Sequence, residues 1–224
     1  MASELVEADE LLGESRWPPI AALVALMALT IALRVWLPED ASLHLDWLVP
    51  ALEGLLVVVV LTANPSGPVE RRRLRRASLV LVCLLVAAAL WATADLVADL
   101  IDGDGVSNSP SELLAAGGVT WIGNNLAFAL LYWLMDGGGP PARARLTAPV
   151  DFAFTQQLNP ELDKPGWRPV FLDYVHLGFT NATAFSPTDV MPLSLRAKYA
   201  MLVQATVSLI LFALVFARAV NAFS

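Results

Sequence analysis

Residues 178–192 read Gly-Phe-Thr-Asn-Ala-Thr-Ala-Phe-Ser-Pro-Thr-Asp-Val-Met-Pro, and the apolar run Tyr199–Ala219 follows a short basic join. That run meets the roughly 20 residues a helix needs to cross a ~30 Å hydrocarbon core. The stretch before it is a short helix candidate, Val170–Phe185, rich in side-chain oxygens and closed by Ser186-Pro187. Its reading decides the fold. Either it crosses the membrane or it dips in and returns, and every span before it changes orientation accordingly.

Working outward, four more segments have spanning length: Pro18–Leu37, Leu43–Ala63, Ala77–Ile101 and Leu113–Met135. Hydrophobic residues make up 57% of the chain, above the 45–50% of soluble domains, and they come in blocks. The expected fold is an all-α integral membrane protein of about six transmembrane helices: five full spans plus a short or re-entrant helix at 170–185. One membrane domain, 1–224, accounts for the chain, with an acidic tail at 1–17, a cytoplasmic loop at 136–169 and a helix–loop–helix at 170–220. Gly137-Gly138-Gly139-Pro140-Pro141 ends the fourth helix firmly. Phe152, Phe154 and Trp167 then suggest a short interfacial helix or an ordered loop packed on the bundle.

The front of the chain carries Glu4, Glu7, Asp9, Glu10 and Glu14, unlike the basic front of a cleavable signal. A net charge of −7 argues against nucleic acid. Cys83 is the single cysteine, so no internal disulfide forms. Two histidines, His44 and His176, give poor support to a metal site of usual ligation. Asp102-Gly103-Asp104-Gly105 has part of a calcium-loop pattern, but Val106 stands where a ligand is needed. No nucleophile–base–acid set appears, so neither an enzyme nor a cofactor is expected.

Orientation follows Lys and Arg in short loops. Arg71, Arg72, Arg73, Arg75 and Arg76 follow the second span, and Arg143, Arg145, Lys164 and Arg168 follow the fourth. If 170–185 crosses, the N-terminus and C-terminus both lie in the cytoplasm. All basic residues except Arg34, Arg196 and Lys198 then face inward. The expected location is the plasma (inner) membrane of a bacterium, with a cytoplasmic N-terminus. Trp17, Trp36, Trp47, Trp121 and Trp133 fall near span ends, as interfacial anchors do.

Charged groups inside a bilayer cost roughly 2.5–3.5 kcal/mol on insertion scales and so face the bundle interior. Glu53 and Asp95 are the deepest carboxylates. Asn124 and Asn125 are adjacent and point to different faces. Gln204 and Ser208 share one face of the last span. In the fifth segment Asp173, His176 and Thr180 recur at helical spacing, a proton relay or a metal pair against a structural pair.

Residues 178–220 resemble the pore segment and inner helix of potassium channels, with Phe179, Thr180, Thr183, Asp189 and Pro192 matching and Val190 standing for an isoleucine. Together with the polar residues of the fifth segment, this resemblance gives ion-path candidates Asp173, Thr180, Thr183, Ser186, Thr188 and Asp189; Glu53, Asp95, Asn124, Asn125 and Gln204, read from their place inside apolar runs, are secondary intramembrane polar residues. It implies a small cation as substrate and a homo-oligomer, tetrameric if the likeness is literal. Ser186, Pro187 and Thr188 stand where the channels carry filter glycines, so a carbonyl ladder for potassium is not expected. A second resemblance rests on Trp121–Trp133, Asp136-Gly-Gly-Gly-Pro and Asp173–Asn221. It is to a widespread bacterial multi-span family of no assigned activity, and it implies the fold and not a function. The competing expectation is a structural or partner-binding membrane subunit.

Overall fold

The computed structural model describes residues 14–15, 17–36, 48–62, 68–102, 110–145, 148–159, 161, 166–184 and 189–222. These are mostly helical. Helix α1 is Trp17–Trp36, α2 Leu48–Thr62, α3 Pro68–Asp102 and α4 Pro110–Met135. A 3-10 turn at Asp136–Gly138 leads into α5, Pro140–Ala144. Strand β1, Phe152–Phe154, and α6, Thr155–Leu158, come next. Helix α7 is Phe171–Ala184, β2 is Val190–Pro192 and α8 is Leu195–Ala222. Three stretches, Arg72–Ala98, Leu114–Gly138 and Leu195–Arg218, are helical, apolar and long enough to cross a membrane. Within α1 and α2, the stretches Trp17–Ala32 and Pro50–Val59 are helical and apolar. The expected second span begins at Leu43, outside the described residues.

Helix α4 sits in the middle, packed against α1, α3, α7 and α8, while α2 packs on α1 and α3. Ala127, Phe128, Leu130 and Tyr132 of α4 form the core with Leu23 and Leu26 of α1, Val82 and Leu85 of α3, and Tyr174 and Leu177 of α7. A helix so covered reads as apolar all round, which is why its sequence shows no single apolar stripe.

The neighbours of α4 fix every direction. Glu14, just before α1, bonds Trp133 near the end of α4, and Leu26 approaches Gly123. Arg75, early in α3, lies by Gly138 and Gly139, while Thr93 bonds Asn124. Arg196, at the start of α8, reaches the Met135 carbonyl, and Val215 lies against Gly117. Helices α1, α3 and α8 therefore all run antiparallel to α4.

Helix α7 decides between the two readings of the pore-like segment. It enters beside the end of α4, where Phe171 meets Trp133, and runs down α4 until Phe179 meets Trp121. Trp121 lies about 21 Å from the end of α4, at 1.5 Å per residue. The chain then comes back. Val190 pairs with Phe154 and Pro192 with Phe152, in an antiparallel ladder at the end where α7 began. The segment enters and leaves at one end of the bundle.

Two expectations change with that geometry. The chain ends on the side opposite Glu14, not on the same side. Arg196 and Lys198, expected opposite the other basic residues, lie with Arg72, Arg73, Arg75, Arg76, Arg143, Arg145 and Arg168. Arg218 is at the far end. The physical reason is parity: with α7 returning, α8 starts where α4 ended.

Candidate functional site

Three polar groups hold the returning segment in place. The first lies at the end of α4. Positive φ at Gly137, Gly138 and Gly139 lets the chain fold over the helix end where other residues would be strained. Asp136 is thereby buried, and its carboxylate gathers three donors. Oδ1 accepts the N–H groups of Asp151 (2.6 Å) and Phe152 (3.2 Å), and Oδ2 accepts the Tyr174 hydroxyl (2.5 Å). Arg143, also buried, donates to the carbonyls of Trp133 (2.9 Å) and Asp136 (3.0 Å) and to Glu14 (2.5 Å). Its guanidinium lies 5.0 Å over the Tyr174 ring, at cation–π distance. Burial lifts the Glu14 carboxyl above its ordinary 4.5, and the charge of Arg143 pulls it back in part. Asp151 is clamped by Arg196, Nε to Oδ1 and Nη2 to Oδ2, both at 2.6 Å. The planar fork matches the carboxylate and fixes direction as well as distance. Residues 136–145 and 148–159 thus form a lid on the bundle end.

The second group lies deep in the bundle. Gln204 of α8 accepts from the Tyr132 hydroxyl (2.7 Å) and from Asn181 of α7 (2.8 Å). Its amide donates to the Gly178 carbonyl (3.1 Å) and, more weakly, to Asn125 (3.4 Å). Asn181 also donates to the Met201 carbonyl (2.9 Å). Gly178 permits the approach, since a Cβ there would sit 3.3 Å from the Asn125 carbonyl oxygen. All four side chains are buried, and the network ties the middle of α7 to α4 and α8. Asn124 turns the other way, to Thr93 of α3 at 2.7 Å. The expectation that the two asparagines serve different faces agrees with this placement.

The third group faces outward. His176 Nε2 and Asp189 Oδ2 are 3.0 Å apart, with side chains 59% and 43% exposed. His176, Phe179 and Thr183 form an exposed stripe along α7 at helical spacing. Thr180 donates to the carbonyls of His176 and Leu177, and Thr183 to that of Phe179, so both hydroxyl protons are spent on their own helix. The Asp189 carbonyl accepts from the Thr155 N–H and hydroxyl, moored to α6. Asp173 accepts from the Val170 N–H (2.7 Å) at the first turn of α7, while His176 meets Asp189. Ser186 and Thr188 lie outside the described residues. So do Asp46, His44 and the Asp102–Gly105 turn beyond its first residue.

Of the secondary residues, Asn125 and Gln204 meet in one network. Asp95 and Glu53 do not join it. Asp95 Oδ2, both Glu53 oxygens, Asn124 Oδ1 and Ser208 Oγ have no hydrogen-bond partner. Trp133, expected as an interfacial anchor, is buried against Phe171 and donates to Glu14. Asp136, Arg143, Asp151 and Tyr174 carry the lid, and none of them is among the ion-path or intramembrane candidates of the sequence. A loop charge beside glycines looks solvated until the strand that covers it is known. Among the described residues, no three of His, Cys, Asp and Glu gather as a metal site.

No protein-family model, curated protein or solved structure matches the chain.

Proposed function

We propose that this chain is a channel-like membrane protein for a small cation, with α7, its return and α8 forming the ion-path segment. The observation that carries the reading is the half-length helix. α7 stops at Ala184, midway along α4, and both ends of the segment emerge on one side. A helix C-terminus carries a partial negative charge of about half an elementary charge. Set at mid-depth in a bilayer, it favours a cation over an anion. His176, Phe179 and Thr183 form an exposed stripe on α7, so this face of the bundle meets water, lipid or a second copy. Copies meeting along α7 would enclose a path lined by His176, Thr180, Thr183 and Asp189, with Ser186 and Thr188 between them in sequence. Without filter glycines the path is hydrated and not potassium-selective.

The finer topology is five crossings by α1, α2, α3, α4 and α8, with α7 re-entrant. Because the basic residues collect where α7 enters, that side is the cytoplasm of a bacterial inner membrane, and the N-terminus lies there. The re-entrant loop then opens inward, opposite to the orientation in the channels it resembles. The likeness to the bacterial multi-span family belongs with this reading and adds no activity to it.

A second reading is a structural or partner-binding membrane subunit. It is favoured by the Tyr132–Asn181–Gln204–Asn125 network, which uses its polar groups to join helices. Purified protein in liposomes separates the two. Cation flux that changes in Asp189→Asn supports the path. Flux equal to protein-free vesicles refutes it, and unchanged flux in both Asp189→Asn and Asp173→Asn removes these residues from it.

A further inference from the structure

Among the described side chains, Glu53 is a fully buried carboxyl, 0% exposed, with both oxygens unpartnered. Helix α2 packs on α1 and α3, away from α7 and the path proposed above. Titratable groups on those two neighbours do not relieve it. Among the described side chains α1 has none. On α3, Glu70, Arg72, Arg73, Arg75 and Arg76 sit at the first turns, Cys83 is exposed, and Asp95 lies lower down. None of them bonds Glu53, and none acts on it through its charge.

An ionised carboxylate in such a place carries a large desolvation penalty with no attraction to offset it. A neutral acid with an unmade hydrogen bond costs far less. The comparison decides which form the folded chain holds. Buried carboxyls of this kind inside membranes move protons or couple to those that do.

We propose that Glu53 is a proton-binding site, a carboxyl carried as the acid within the α1–α2–α3 layer and separate from the cation path. Releasing the proton requires water at Glu53, and hence movement of α2 away from α1 or α3. Proton occupancy therefore selects between two packings of that layer. Asp95, half-buried on α3 with one unpartnered oxygen, is the candidate for a second carboxyl exposed by the same movement.

Infrared spectroscopy of the full chain in lipid at about pH 7 tests this. The spectrum of the natural protein minus that of Glu53→Gln should contain the carbonyl stretch of one protonated carboxylic acid, shifted by deuterium exchange. Absence of that band overturns the proposal. If the variant does not fold, a hydrophobic carbodiimide decides on the natural chain. The acid O–H adds across the N=C=N bond, oxygen to carbon and proton to nitrogen, and rearranges to a stable acylurea. An ordinary glutamate is only about 0.2% acid at pH 7. An adduct on Glu53 at least about tenfold above that on exposed Glu161 is therefore expected, and equal or lower labelling refutes the site. Neither readout depends on cation flux, so failure here and failure of the channel reading are distinguishable.

Discussion

Replacing Gln204 with leucine tests how α7 is held at mid-depth. Gln204 is fully buried and makes three strong hydrogen bonds and one long one. Leucine has nearly the same volume, so little packing is lost. What is lost is the node. The Tyr132 hydroxyl loses the Gln204 oxygen, Asn125 Oδ1 loses its donor, and Asn181 loses its bond to Gln204 while keeping the one to the Met201 carbonyl. Hydrogen bonds between membrane helices average about 0.6 kcal/mol, which puts three of them near 2 kcal/mol. Orphaned buried groups cost about 1–3 kcal/mol each where no alternative partner exists, and this raises the upper bound to about 4 kcal/mol. A loss of about 2–4 kcal/mol is expected, read from reversible unfolding in mixed micelles. Combining the change with Tyr132→Phe makes a cycle that isolates one bond, with a coupling of about 0.6–1.7 kcal/mol. A total loss below about 0.5 kcal/mol, or strict additivity of the two changes, would show that the network does not hold the helix.

Asp136→Ala strips three donors of their acceptor, and at about 1 kcal/mol or more each the loss should reach about 3 kcal/mol; Tyr174→Phe should cost about 1 kcal/mol in the same unfolding assay. Thr183→Cys in a Cys83→Ser background should form a disulfide between copies under mild oxidation in membranes, seen as a dimer on a non-reducing gel; only monomer would argue against copies meeting along α7. Because burial raises Glu14 above 4.5, the folded chain holds that proton more tightly than the unfolded chain, so the associated stability is present at low pH and is lost as pH rises through 4.5 toward the raised value. Glu14→Gln should flatten that slope in melting curves taken across the same window, and an unchanged slope would remove Glu14 as its source.

Most of the helical plan was legible. Blocks of apolar residues marked the helices, and Gly137–Pro141 marked the end of α4, because both signals are local. The length of α7 was also legible, but length does not say whether a helix crosses. That depends on the pairing of Phe152-Ala153-Phe154 with Val190-Met191-Pro192, two three-residue strands far too short to announce themselves by alternation. A clue did exist in Arg196 and Lys198. They were assigned to the acidic side, against the charge bias that oriented every other loop, and a returning α7 removes the exception. The candidate residues fared according to depth. Asn125 and Gln204 sit inside apolar runs and meet in one network, whereas Glu53 and Asp95, also inside apolar runs, do not join it. Asp136 and Asp151 sit in a loop, where charge is ordinarily solvated, and only the strand that covers them makes them central.

The central claim is that α7 enters and leaves the membrane on one side. Single cysteines at Arg168, Lys198 and Arg218, each in a Cys83→Ser background, can be labelled in oriented membrane vesicles with a reagent that does not cross lipid. Arg168→Cys and Lys198→Cys, which flank α7 and its return, should react from the same face, and Arg218→Cys from the other. Labelling of Arg168→Cys and Lys198→Cys from opposite faces would mean that α7 spans the bilayer, and the re-entrant segment with its cation path would be lost.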